Sequence, residues 1–123
     1  MIELSVVLVN FNDRPHLGEC LSSLENTSDS LQVEIIVVDN DSADGSPVYI
    51  ARNFPKVKLI ANNVNVGFAR ANNQGIRESR GEFILFLNTD TAVQPGALAR
   101  MLEEFRSDPK VGAVGPALLA GRD

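Results

Sequence analysis

The feature that most constrains the fold is the regular return of short apolar runs rich in Val, Ile and Leu. Five such runs occur, at Leu4–Val9, Val33–Val38, Val57–Ile60, Phe83–Leu87 and Val111–Val114. They are largely continuous rather than alternating between apolar and polar residues, which is typical of strands covered on both faces of a sheet. The runs therefore predict five strands of a mainly parallel sheet.

Segments with helical spacing separate these runs. One helix is predicted after the start signal Asn12–Pro15, and another between Pro95 and Pro109. Two shorter helices are predicted at 46–53 and 68–79. Strand and helix alternate along the chain, which predicts an α/β fold: a doubly wound, mainly parallel sheet with helices on both faces, in a Rossmann-like arrangement.

The net charge and the lengths of the apolar runs argue against a nucleic-acid-binding protein and against a membrane span in this chain. The chain has 123 residues and a net charge of −5, which argues against nucleic acid as a partner, since that binding relies on Lys and Arg. No apolar run approaches the roughly 18 residues of a membrane span. The single cysteine, Cys20, excludes an internal disulfide and is expected in the core. The expected location is cytoplasmic, or the cytosolic face of a membrane for a longer form.

Polar, acid-rich segments follow each of the first four runs. They are "NFND" (10–13), "DNDSADGS" (39–46), "NNVNVGFARANN" (62–73) and "NTDT" (88–91). Open α/β sheets bind ligands beyond the carboxyl ends of their strands, so these segments are expected to meet at one site. Their carboxylates belong to Asp13, Asp39, Asp41, Asp44 and Asp90.

Acids of this kind predict a metal-assisted phosphate site. Neither a P-loop nor a GxGxxG fingerprint is present, and carboxylates repel phosphate unless a cation intervenes. Asp90, with a weaker contribution from Asn88, suits a hard cation, Mg²⁺ or Mn²⁺, that keeps positions open for phosphates. Asp39 suits the ring N–H of uracil or thymine. Gly67, at a predicted helix start, would let the backbone approach a phosphate.

Structural roles are open for the same residues. "DNDSADGS" also reads as a helix-capping loop, and Asp90 as the N-cap of the following helix. The asparagines at 62, 63 and 65 are also typical of turns. His16 is interpreted as a solvated helix residue, because no second His or nearby Cys would make a zinc site. The concentration of acids after two strands of one sheet favours the binding site.

Four motifs together resemble one family. "SVVLVNFNDRPHLGECLSSL", "EIIVVDNDSADGS", "NVNVGFARANNQGI" and "GEFILFLNTDT" are similar, in order and spacing, to the donor half of family 2 inverting glycosyltransferases with the GT-A fold. The similarity is to the rhamnosyltransferase-like branch that acts on cell-surface polysaccharide, and it extends to about Pro116. It implies the nucleotide-diphospho-sugar transferase fold.

The resemblance also implies roles for particular residues. Asp39 matches the base-binding aspartate, Asp41 the acid that follows it, and Asp90 the last acid of a DxD-type metal motif. Asn73 matches the first residue of an Asn-x-Gly in the helix beside the donor, although Asn72 stands where many relatives have Arg. The expected nucleotide-binding residues are Val9, Asn10, Asn12, Asp39, Asn40, Asp41, Gly67 and Asn73; the expected metal ligands are Asp90 and, more weakly, Asn88.

The implied activity is transfer of a sugar from a UDP- or dTDP-linked donor to a hydroxyl of a glycan or lipid-linked acceptor, with inversion. Residues 1–116 would be the donor-binding part and 117–123 a tail. The catalytic base is expected beyond Asp123, in an absent acceptor half, so the sheet edge is expected to be exposed and able to form homo-oligomers. The alternatives are a nucleotidyltransferase of the same fold, a non-catalytic sugar-nucleotide-binding or interaction module, and a receiver-type signalling domain, which would need an acidic pair after the first strand.

Overall fold

The structure is a computed structural model that describes residues 1–27 and 30–115. Its strands are β1 (Leu4–Asn10), β2 (Val33–Asp39), β3 (Lys58–Ala61) and β4 (Phe83–Asn88). Its helices are α1 (Arg14–Thr27), α2 (Ser46–Asn53), α3 (Phe68–Glu78) and α4 (Ala97–Ser107). No helix within the described ranges is both long and apolar enough to cross a membrane.

The four strands form one parallel sheet in the order β3-β2-β1-β4. The register pairs Asn10 with Asp39, Asp39 with Ala61 and Val9 with Asn88. The carboxyl ends of all four strands therefore lie at one edge, and the polar segments that follow them leave the sheet side by side. The predicted α/β fold with a parallel sheet is confirmed.

Helices cover both faces of the sheet. One face of β1 and β2 packs against α1, α2 and α4 in a core that includes Leu8, Leu17, Leu21 and Leu98. The buried Cys20 belongs to the same core, and burial raises the pKa of its thiol to about 11. On the opposite face α3 lies against β1 and β2, and its Gly75 lies directly over Val7.

Replacing Gly75 by Ala is expected to destabilise the domain by about 1–3 kcal/mol, because an added methyl group overlaps the fully buried Val7 side chain. Urea denaturation followed by circular dichroism measures the change. Gly112→Ala is the matched control, since no atom lies within 4 Å of the position of its added Cβ. Equal stability of the two variants would contradict the close packing of α3 on β1.

The predicted fifth strand at Val111–Val114 is wrong. Residues 111–115 have no regular secondary structure and pair with no strand of the described sheet. The Val111 amide instead donates to the Asp108 carbonyl at 3.1 Å, in the turn that follows α4. A short apolar run forms a strand only when a neighbouring strand supplies hydrogen bonds, and no strand within residues 1–27 and 30–115 pairs with this one.

Strand β4 is one of the two edge strands of the described sheet, and one of its faces is not covered by a described helix. Its residues alternate in burial, with Ile84 and Phe86 exposed on the side of the sheet where α3 lies. The expectation that every strand is covered on both faces thus holds for β1 and β2 but not for β4. Self-association through this edge stays a prediction, and the Leu118-Leu119 tail lies outside the described residues.

Candidate functional site

The polar segments after the strands surround an open cavity of about 500 Å³. It lies at the carboxyl edge of the sheet, where a parallel α/β fold is expected to bind its ligand. A cavity of this size accommodates a small-molecule ligand or cofactor. Its lining residues are Val9, Phe11, Asn12, Asp13, His16, Asn40, Asn65, Phe68, Asn88, Thr89 and Asp90.

Asp90 and Asn88 present oxygen atoms at the end of β4. Both residues are exposed, and among the described residues neither side chain makes a hydrogen bond or ion pair. Asp90 does not cap a helix, because α4 begins at Ala97 with Gly96 as its N-cap residue. A carboxylate and an amide oxygen fit a hard divalent cation.

This pair does not form a complete metal site. No group of three His, Cys, Asp or Glu side chains that could hold a metal occurs in the described ranges. A cation at Asp90 would therefore depend on ligand oxygens, such as phosphates, to complete its coordination.

Asp13 links α1 to the turn after β4. Its Oδ1 lies 2.7 Å from His16 Nδ1, and its Oδ2 accepts a hydrogen bond of 2.6 Å from the buried Thr89 hydroxyl. Thr89 precedes Asp90, so this bridge fixes the turn that carries the candidate metal ligand.

The same bridge shifts two pKa values. The hydrogen bond to Asp13, reinforced by the negative charge of that residue, raises the pKa of His16. Burial acts to raise the pKa of Asp13, but the hydrogen bonds from Thr89 and His16 outweigh it and lower the pKa overall. Both shifts favour the charged pair of an imidazolium and a carboxylate.

Asp39 braces the loop after β2 from beneath the cavity. It is 1 % exposed and does not line the cavity. Its Oδ1 accepts hydrogen bonds from Asn10 Nδ2 at 2.9 Å and Ser42 Oγ at 2.8 Å, and its Oδ2 accepts from the Ser42 backbone N–H at 2.9 Å. Asn10 is fully buried beside it, with its Oδ1 unpartnered among the described residues.

Asn12 and Asn40 tie the loops together. The Asn12 amide oxygen accepts from the Ala43 N–H at 2.7 Å, joining the loops that follow β1 and β2. The Asn40 Nδ2 donates to the Gly67 carbonyl at 3.2 Å, and its Oδ1 accepts from Asn62 Nδ2 at 3.1 Å. Asn62 also exchanges two hydrogen bonds with Gln74 of α3. The asparagine-rich segments therefore fix the loop positions.

Two exposed phenyl rings line the cavity. Phe11 follows β1 and is 51 % exposed, and Phe68 begins α3 and is 62 % exposed. Both rings are exposed at the same cavity, and flat rings suit the face of a planar ligand. Sequence reasoning missed both residues; the signal for Phe11 was an aromatic side chain between two asparagines at a strand end.

The structure divides the predicted site residues into groups. Val9, Asn12, Asn40, Asn88 and Asp90 line the cavity. Asn10 and Asp39 lie behind it, while Gly67 is held at its margin by Asn40. Asp41 is exposed, with a left-handed φ of 63°, and is not among the lining residues.

Asn73 and three arginines lie outside the lining of this cavity. Asn73 lines a separate cavity of about 310 Å³ on the outer side of α3, together with Arg70 and Arg77. The Arg14 guanidinium lies over the Tyr49 ring, 4.8 Å from its centroid. His16 is an exposed residue of α1, as predicted from the sequence, and it also lines the main cavity.

A parallel α/β layer with an acidic, aromatic-flanked cavity at its strand ends defines a Rossmann-like ligand-binding domain. Comparison with known proteins gives the particular family. The profile of the family described as Glycosyl transferase family 2 matches residues 5–122, and the chain belongs to this family. The resemblance noted in the sequence is thereby confirmed.

Two curated relatives illustrate the family. The N-acetylglucosaminyl-diphospho-decaprenol L-rhamnosyltransferase of Mycobacterium tuberculosis is 29 % identical over 126 residues, which cover 94 % of this chain and 41 % of the relative. The poly-β-1,6-N-acetyl-D-glucosamine synthase of Staphylococcus epidermidis is 30 % identical over 113 residues, covering 90 % and 27 % respectively. The chain thus spans less than half the length of these relatives.

A solved structure shares the fold. The mannosyltransferase PcManGT of Pyrobaculum calidifontis, in complex with GDP-Man and Mn²⁺, superposes with a TM-score of 0.80 at 26 % identity. The match covers 89 % of this chain and 34 % of that one. The expected GT-A fold is confirmed by this similarity.

Proposed function

We propose that the whole protein transfers a sugar from a nucleoside-diphosphate sugar to an acceptor hydroxyl, with inversion, in cell-surface polysaccharide synthesis. The observation that carries this proposal is the unpaired Asp90 carboxylate in a cavity flanked by two exposed phenyl rings. Family membership supports it, as do relatives named as a rhamnosyltransferase and a polysaccharide synthase. A lipid-linked or glycan acceptor and a cytoplasmic location are parts of the same proposal.

The cavity would hold the donor nucleotide between its aromatic and amide side chains. Phe11 and Phe68 offer ring faces for a planar base. Asn12 offers its Nδ2 to the polar edge of the base, because its Oδ1 already accepts from Ala43, and Asn40 holds the neighbouring loops in place. UDP or dTDP is the expected carrier. Asp39 would act on the base through the loop that it braces, since its oxygens already accept three hydrogen bonds.

Asp90 and, more weakly, Asn88 would hold Mg²⁺ or Mn²⁺ at the diphosphate. A hard cation there supplies Lewis-acid stabilisation of the leaving diphosphate. Asp13 holds the turn in place through Thr89. The similarity to a mannosyltransferase in complex with GDP-Man and Mn²⁺ supports this assignment.

In this scheme the described part of the chain binds and orients the donor. Asp13 is engaged by two hydrogen bonds, and Asp90 is assigned to the cation, so neither is free to deprotonate an acceptor hydroxyl. We therefore assign the catalytic base to a carboxylate in a further part of the protein.

Calorimetric titration of the 123-residue chain tests the proposal. UDP, dTDP and GDP are titrated separately, with and without Mn²⁺; at least one is expected to bind, and more tightly with the metal because the phosphates complete its coordination. UTP and glucose 1-phosphate are the comparison ligands for a nucleotidyltransferase. Preference for the triphosphate would favour that alternative, and absence of nucleotide binding would contradict the proposed function.

A further inference from the structure

His16 is the only described cavity-lining side chain that can carry a positive charge. The charged groups that accompany it in the lining are the carboxylates of Asp13 and Asp90, and the rest of the lining is neutral. A cavity with this charge balance repels phosphate groups. Any positive charge placed in it therefore has a large influence on an anionic ligand.

The ring of His16 is held in a fixed position but stays accessible. Nδ1 lies 2.7 Å from Asp13 Oδ1. In this arrangement Nδ1 carries a proton and donates a hydrogen bond to the carboxylate. Asp13 is itself anchored by the Thr89 hydroxyl at 2.6 Å. The His16 side chain is 61 % exposed, and Nε2 makes no hydrogen bond to a described residue.

We infer that His16 is a ligand-contact residue, whose protonated ring donates its Nε2–H to the phosphate groups of a nucleoside diphosphate in the cavity. Asp13 is then a positioning residue that orients the ring and keeps it charged. This inference rests on the proposed function, because it concerns the phosphate end of the same ligand.

The charges around His16 determine how phosphate binding is expected to change with pH. Asp13, Glu19 of the same helix and Asp90 of the turn after β4 all raise the pKa of the imidazolium. Phosphate binding gains from the charged ring, so affinity is expected to be highest below the raised His16 pKa. Affinity then falls as the pH rises through that value and the ring becomes neutral.

The test uses the fact that His16 is the only histidine of the chain. Its imidazole NMR signals therefore report one group without assignment ambiguity. They are titrated with pH in the chain with Mg²⁺ alone and in the chain with the same Mg²⁺ and saturating UDP, so that only the nucleotide differs. Since a charged hydrogen bond is worth about tenfold in affinity, the His16 pKa is expected to rise by about one unit when UDP is bound.

Two variants separate a local contact from long-range charge. His16→Gln is expected to bind UDP about tenfold more weakly at pH 6.5 and to lose the matching part of the pH dependence. The terminal phosphate of UDP takes up a proton at pH ~6, which also makes UDP binding depend on pH. His16→Gln measures this contribution of UDP alone, so that it can be subtracted. Arg52→Gln removes one positive charge from the exposed end of α2, outside the lining residues, and is expected to bind like the unmodified chain.

The outcomes are distinguishable from failure of the proposed function. If UDP shifts the amide signals of other cavity residues but leaves the His16 pKa unchanged, the contact is overturned while nucleotide binding stands. A His16 pKa that falls when UDP is added to the chain already saturated with Mg²⁺ would overturn it too, since the phosphates would then not stabilise the charged ring. If UDP, dTDP and GDP all shift no signal, both proposals fail together.

Discussion

Replacing Asp90 by Ala is expected to remove the strengthening of nucleotide binding by Mn²⁺, with a loss of about 100-fold in affinity in the presence of the metal. Removing even an outer partner of a metal ligand commonly costs about 10–100-fold, and Asp90 is the carboxylate that would contact the ion itself. Asp13, the other carboxylate among the described lining residues, cannot compensate, because it is engaged by His16 and Thr89. Without metal, the variant is expected to bind as weakly as the unmodified chain or slightly better, because a negative charge near the diphosphate is gone.

Calorimetry of UDP, dTDP and GDP with and without Mn²⁺ measures this effect. Glu103→Ala is the matched control, because it removes one carboxylate from the exposed face of α4. Asn88→Ala is expected to show a smaller loss, as an amide oxygen is a weaker ligand than a carboxylate. Unchanged metal dependence in Asp90→Ala would remove Asp90 from the metal site.

Replacing Asp39 by Ala is expected to lower the free energy of unfolding by about 3–4 kcal/mol. The substitution removes three hydrogen bonds, which Asn10 Nδ2, the Ser42 hydroxyl and the Ser42 backbone N–H donate to Asp39. Asn10 Nδ2 keeps only its longer bond of 3.3 Å to Ser42 Oγ. Each unsatisfied buried donor costs about 1–3 kcal/mol, partly recovered where water enters. The same substitution is expected to disorder the loop over 40–44. Loss of this loop would weaken nucleotide binding indirectly.

Urea denaturation followed by circular dichroism measures the change in stability. Asp41→Asn is the control, because Asp41 is exposed in the same loop and asparagine tolerates its left-handed φ of 63°. Calorimetric titration with UDP and GDP, at a temperature where both variants are folded, measures the preference of each variant for one base. A stable Asp39→Ala variant that loses discrimination between UDP and GDP would make Asp39 a direct base reader instead of a brace.

The sheet was predictable because its signal is local. Each of β1 to β4 is a short run of Val, Ile, Leu and Phe, and burial of such residues on the faces of a sheet is what the pattern predicts. The run at 111–114 is Val-Gly-Ala-Val, two of whose four residues have little side chain to bury, and it forms no strand in the described part of the chain. Exposure of Ile84 and Phe86 depends on what covers β4.

The site was predictable only as a set of segments. Parallel strands place their carboxyl ends at one edge, so the sequence indicated that "NFND", "DNDSADGS" and "NTDT" would meet. It could not separate Asp39, which is buried beneath the cavity, from Asp90, which lies in it. It also gave no reason to choose His16 or Phe68 over other polar or aromatic residues.

The sequence by itself thus determined the order of strands and helices and the chemical types of side chain at the strand ends. The tertiary structure alone decided which of those side chains are engaged and which are free. The physical reason is that hydrogen bonds at this site join residues far apart in the chain: Asn10 bonds Asp39 across 29 positions, and Asp13 bonds Thr89 across 76. Whether a carboxylate braces a loop or faces a ligand depends on those distant partners, which no local pattern encodes.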